Sequence, residues 1–403
     1  MANPVSFDQL QNGFYNALAA GLGYETTTPF QVVQPSPPLV GGAGADGRLW
    51  NYLDIIPPAT LNMNIALGAG GNKFSADYQG VLSALQPANE LFPKTVGDAC
   101  YGNWATARSK NQVGPTGQDF QLWAYGSTPC QTVARQGAIA LNRDNLDPIF
   151  VAQNNAMPYQ PAGTQPITFS IDYNTMVQLL MSAPSRSFNV AQGNWQTDVS
   201  KTWTNGSTGG FFGLWGGSSS SSTISQKFAS SGVSLQASFA NVLPFTTSPG
   251  IWFSSAALGL AYHNPNAAPW DPNSTINWDN TFGTNGNMQR FTTTLLIANK
   301  MEILVQSVAS YTETEQTEIR NNSSAGLWPF YSSSGSSGSS TYASFNAQGN
   351  LTVSITSDAG VPVVIGAIVE SAAGYLGSEV EAAKFLTRTL FEQSARERVL
   401  EPS

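Results

Sequence analysis

The feature that most constrains this chain is a repeat: its last two-thirds reads as one β-rich module written twice. The string Gly213-Leu214-Trp215 recurs as Gly326-Leu327-Trp328, and a Ser/Gly-rich run follows each copy. Asn174, Met176, Leu179-Leu180 and Ser182 answer Asn299, Met301, Leu304-Val305 and Ser307. Further on, Phe228 and Gly232 answer Phe345 and Gly349, Pro244 answers Pro362, and Ser254–Ala257 answers Glu370–Ala373. The order never breaks, so the repeat predicts two similar modules in pseudo-twofold placement, with loops in equivalent pairs.

Composition says what fills such modules. Charged residues are 10% of the 403, against roughly 25% in ordinary soluble domains. Hydrophobic content is 41%, so polarity comes from Ser, Thr, Asn, Gln and Gly. That mixture favours strands, turns and surfaces that pack on other surfaces. The net charge of −8 excludes nucleic acid as a partner, because binding it requires basic stripes that neutralise phosphates. Cys100 and Cys130 are too few for a disulfide framework, and their spacing leaves their pairing open. With a single histidine and no close cysteine spacing, no metal and no cofactor is expected. The start, MANPVSFDQL, has neither a basic nor an apolar signal region. Cytoplasmic synthesis is therefore the expectation, with leaderless export left open. The apolar run Val361–Val369 is too short to span a bilayer and reads as a buried strand.

The expected fold class is α+β and mainly β. A helical and irregular region covers 1–160, a β-sandwich-like module 166–262, a loop-rich connector 263–290, its duplicate 291–377, and an amphipathic C-terminal helix with tail 378–403. In the first region Ser6 and Gln9 form a capping-box pattern around Phe7, Leu10, Phe14 and Leu18, whose spacing predicts a helix near 7–20. Further helices are predicted near 77–85, 96–109 and 132–141. Ile167–Tyr173, Val233–Val242 and Leu351–Ser357 alternate apolar with polar residues, as strands with one buried face do. Leu295–Val305 reads as a hairpin turning at Ala-Asn-Lys, and Tyr311–Glu318 as a strand with Glu313 and Glu315 on one side. Near the end, Ser378 and Glu381 form a capping box before Ala382, Leu386 and Leu390.

Candidate chemistry is sparse. His263 is the sole histidine, so a nucleophilic device would need it, with Asp271 or Asp279 as orienter. Gly42, Gly44 and Gly47 match the dinucleotide fingerprint, but Pro-rich sequence precedes them and they read as a loop. Asp271, Asn273 and Thr275 begin like a calcium loop, yet Ile276 and Phe282 stand where glycine and glutamate are needed. Trp270, Asp271, Trp278 and Asp279 remain as a glycan-contact loop that could stack and hydrogen-bond a sugar.

The aromatic loops are the strongest candidates. Between Asn205 and Gly250 the only charge is Lys227, and between Arg320 and Asp358 there is none. Within those stretches Phe211, Phe212 and Trp215, and their counterparts Trp328, Phe330 and Tyr331, sit beside glycine and serine. Exposed aromatics of this kind anchor protein or membrane interfaces; folded back, they plug a core.

The first functional expectation is a non-enzymatic interaction or self-assembly protein, acting on a protein partner or a second copy through low-charge β surfaces and the paired aromatic loops. The second is a pore-forming, toxin-like protein whose segments 218–242 and 332–357 refold into membrane hairpins, since a spanning strand needs about 9–11 residues. The third is an enzyme centred on His263.

Overall fold

The computed structural model describes residues 7–24, 28–33, 37–59, 62–63, 72–191, 222–323, 327–328 and 338–376. In chain order they form α1 (Phe7–Gly21), β1 (Phe30–Val33), α2 (Ala45–Leu53), β2 (Asn62–Met63), α3 (Phe74–Ser83), α4 (Leu91–Ser109) and α5 (Gly117–Ala124). Next come α6 (Ala134–Asp144), α7 (Pro148–Ala156), α8 (Tyr173–Met181), β3 (Arg186–Ala191), α9 (Ser222–Ser230), β4 (Val233–Phe245) and α10 (Ser255–His263). The series ends with α11 (Trp278–Thr281), β5 (Arg290–Ser310), α12 (Glu313–Asn322), β6 (Ser339–Phe345), β7 (Asn350–Ser357) and β8 (Val363–Ser371). The helix expected over 378–403 and the Ser6 cap lie outside the described residues.

The chain divides into two compact units that interleave along the sequence. One comprises 1–71, 171–247 and 292–369, the other 72–170, 248–291 and 370–403. This departs from a linear division at 160, 262, 290 and 377.

In the first unit, eight strands join one sheet in the order β2-β1-β8-β5-β4-β3, with β7 also on β5 and β6 on β7. The class is α+β, as expected. Among the described residues, however, helix outweighs strand and the strands form one sheet, not paired sandwiches. The repeat breaks at its first echo: Asn174–Ser182 lies in α8, because Asp172 caps that helix by accepting from the Thr175 amide, whereas Asn299–Ser307 lies in β5. The strand expected at Ile167–Tyr173 is not formed: its last residues open α8, and the rest contributes an isolated bridge from Phe169 to Pro249.

The hairpin expected at Leu295–Val305 is one continuous strand. Every residue from Leu295 to Asn299 pairs with β4, and pairing resumes at Met301 on the same register. Ala-Asn-Lys lacks the glycine of a two-residue turn, and the chain meets it with only a local kink at Lys300, φ 50°. β5 also changes character at that point. From 295 to 299 every residue is buried, as in a strand covered on both faces, while from 300 to 310 burial alternates.

On the inner side of the sheet α1 packs against β3 and α9, and Ser231, just after α9, hydrogen-bonds the inward Ser307 of β5 at 2.8 Å. Trp328 lies against both helices, edge-on to Phe14 at 4.8 Å and to Phe228 at 6.0 Å. The supposed strand at Tyr311–Glu318 is α12, whose Thr312 and Glu315 form a full capping box.

The second unit is helical. The expected helices near 77–85, 96–109 and 132–141 appear as α3, α4 and α6. Buried Asp144, at the end of α6, accepts the amides of Leu91 (3.1 Å) and Phe92 (2.7 Å), and so caps α4 from another helix. Arg108 is buried; its guanidinium donates to Asn154 Oδ1 (2.9 Å), to the Asn154 carbonyl (2.6 Å) and to the Val113 carbonyl (2.7 Å). Burial lowers its pKa. Cys100 and Cys130 are joined in a disulfide with Cα atoms 5.0 Å apart, inside a core with Phe92, Trp104 and Phe120.

Candidate interaction surface

The register of the sheet assembles a surface that no single segment contains. Where β5 alternates, its inward residues are Met301, Ile303, Val305, Ser307 and Ala309, all buried. Its outward residues therefore align with the outward residues of β3, β4, β7 and β6. Across the strands through Leu304 run Asn189, Gln236, Leu304, Ser354 and Tyr342. Through Glu302 run Ser187, Ser238, Glu302, Thr356 and Ser340, and through Gln306 run Ser234, Gln306, Thr352 and Ser344.

Glu302 is the one charge in these three rows; Lys300 stands at their margin. Tyr342 is 53% exposed, whereas Ser354, between it and Leu304, is 3% exposed. The Ser340 and Thr356 hydroxyls bond each other at 2.6 Å. The side-chain amides of Gln236, Gln306 and Asn189 make no hydrogen bond with described residues, so they are available to a ligand.

A second cluster lies where α9 meets α12. Lys227 Nζ sits 2.8 Å from Glu315 Oε2 and 5.0 Å from the centre of the Tyr311 ring. Glu315 also accepts the Thr312 amide, at 2.8 Å. Its carboxyl is held below the usual range, first by the hydrogen bonds from Lys227 and then by those from Thr312. Burial pushes the Tyr311 phenol up to about 12. Arg320 lies over the Phe345 ring at 4.8 Å. The cluster has the form of a clamp between two helices, and the Tyr311 phenol oxygen lies buried in it without a hydrogen-bond partner.

Of the aromatic residues expected to face a partner, Phe211, Phe212, Trp215, Phe330 and Tyr331 lie outside the described residues. Trp328 is fully buried. The expectation of exposure is corrected there, because Phe14 of α1 and Phe228 of α9 enclose the indole.

In the connector, Trp270 is 7% exposed and donates its indole N–H to the Ala261 carbonyl at 2.9 Å, so its ring is not open for stacking. Trp278 is half-buried and donates to the Tyr262 carbonyl at 2.7 Å. Asp271 turns inward on its own loop to accept from Asn273, and Asp279 is exposed. His263 ends α10 exposed, its ring 5.1 Å from that of Tyr262, with no hydrogen bond to Asp271 or Asp279. Glu313 and Glu315 sit in the first turn of α12. The expected loop at Gly42, Gly44 and Gly47 is corrected in part: Gly44 is the N-cap of α2 and Gly47 lies inside it.

Among the described residues no group of His, Cys, Asp or Glu gathers to hold a metal ion, and no helix is long and apolar enough to cross a membrane. The fold and surface thus define an α+β chain with a sheet whose open rows carry a single charge, Glu302. No protein-family model matches it, and no curated protein or solved structure does either.

Proposed function

We propose that this is a non-enzymatic binding or self-assembly protein that works through the open half of its sheet. The observation that carries this reading is the surface of hydroxyl and amide side chains running from β3 to β6 with Glu302 as its one charge. The solvated face of an ordinary soluble domain carries mixed charges on about a quarter of its residues or more. We assign Phe211, Phe212, Trp215, Phe330 and Tyr331 to the same role and leave out Trp328, which is buried. The elements they adjoin in sequence, α9 and Trp328, touch through Phe228, and α9 is clamped to α12 through Lys227 and Glu315.

The repeat supports a duplicated β module with β4 and β7 as equivalent strands on either side of β5. Gly232 and Gly349, at φ 86° and 76°, each lead into one of them, a conformation that glycine adopts without strain. At the same separation, Ser254 Oγ accepts the Ala257 amide and Ser371 Oγ accepts the Gly374 amide, so each copy opens a helix with the same cap.

Sedimentation across a concentration series, with Leu304→Lys as the variant that charges the open face, tests the reading. Self-association abolished by the variant supports it. Association untouched by the variant overturns it, as does a strict monomer that also binds none of the ligands named below.

A further inference from the structure

The open face is not uniform. Ser354 is 3% exposed, yet its hydroxyl makes no hydrogen bond with the described residues, and its register turns it outward with Leu304 on one side and Tyr342 on the other. Adjacent strands are about 4.8 Å apart, so these flanking columns stand about 10 Å from each other across a small-residue floor. The result is a shallow trough between an aliphatic wall and an exposed aromatic wall, with the Ser354 hydroxyl nearly covered at its base.

We propose that this trough binds a neutral glycan chain. The inference rests on the open face being a binding surface and names the class of ligand. Three observations select that class.

A neutral ligand is required, because Glu302 is the one charge in the rows and Lys300 the one cation at their margin; a polyanion would find no counter-charge. The serine-lined row suits a glycan better than the core of a protein interface, since such cores are depleted in serine. A chain of sugar rings fits this surface. The C–H face of one ring lies against the Tyr342 ring, and the hydroxyls of a ring further along, beyond Leu304 and three strands or about 14 Å away, exchange hydrogen bonds with the side-chain amide of Gln236. The outward positions repeat about every 7 Å along each strand, which suits a polymer more than a monosaccharide.

Affinity electrophoresis in gels containing dextran, laminarin, xylan or galactomannan, with heparin as the anionic control, tests the proposal; titration calorimetry with oligosaccharides of the best polymer then gives the affinity. At least one neutral polymer is expected to retard the chain. Tyr342→Ala should weaken binding about tenfold or more through the lost ring contact. Leu122→Ala, at a 68% exposed site of the other unit, should leave binding unchanged. Thermal melts confirm that the variants fold. The proposal is overturned if no neutral polymer retards the native chain, if heparin alone does, or if Tyr342→Ala binds as the native chain does. Should glycan binding be absent while self-association stays sensitive to Leu304→Lys, the ligand class is wrong and the surface reading stands. If both are absent, both fall.

Discussion

Phe14 and Trp328 meet edge to face with ring centroids 4.8 Å apart, which makes the second aromatic segment begin inside the core of its unit. Trp328→Ala should therefore destabilise the protein by about 3–5 kcal/mol, the range for emptying a large aromatic site. An exposed interface aromatic would cost within about 0.5 kcal/mol. Urea unfolding of the two proteins separates these outcomes, and a shift in the smaller range would contradict the burial.

The Lys227–Glu315 clamp makes part of the stability depend on acid. Glu315 has a lowered folded-state pKa, so the unfolded chain binds the proton more readily. Its contribution is complete above about pH 5 and is lost as pH falls through the folded value. The pair is partly solvated, which limits the effect to about 1 kcal/mol. Urea midpoints at pH 7 and pH 3 should show native protein ahead of Glu315→Gln at neutrality and level with it in acid.

Asp144 supplies both carboxylate oxygens, one to the Leu91 amide and one to that of Phe92. Asp144→Asn retains one acceptor and leaves one buried amide facing an NH₂ group. A loss of about 1–3 kcal/mol is expected. Hydrogen exchange should localise the change to the first turn of α4; protection there equal to native would refute the capping role.

The Cys100–Cys130 disulfide closes a 30-residue separation, and both residues are at most 1% exposed. Replacing both with serine should cost about 2–5 kcal/mol. Burial shields the bond, so reductant should leave the folded protein intact and act only as denaturant opens the second unit. Mass spectrometry after alkylation under native and denaturing conditions checks this order.

Local signals in the sequence account for much of the fold. The apolar spacing of Phe14 and Leu18, and the alternation in Val233–Val242 and Leu351–Ser357, mark α1, β4 and β7 correctly. The α12 capping box was equally local, since Thr312 and Glu315 have the required spacing; the alternating threonines and glutamates around them imitate a strand. Trp328 is different in kind. Its partners Phe14 and Phe228 are remote in sequence, so the glycines beside it suggest an exposed loop where the fold makes a core.

The candidate surface was legible only as a tendency toward uncharged strands. Asn189, Gln236, Leu304, Ser354 and Tyr342 come from separate stretches, and their alignment depends on a register that no local pattern encodes. The trough at Ser354 exists because Leu304 and Tyr342 arrive from different strands. A search along the chain for contiguous motifs passes over it.

The two halves of β5 live under different rules. From Leu295 to Asn299 any change in volume is felt by packing on both faces, whereas at Glu302, Leu304 and Gln306 the outward side chain can be exchanged while its inward neighbours keep the strand in place. One strand is thus an anchored beam with a free overhang. Its rooted end fixes the geometry, and its overhang can be rewritten for a new ligand without renegotiating the fold.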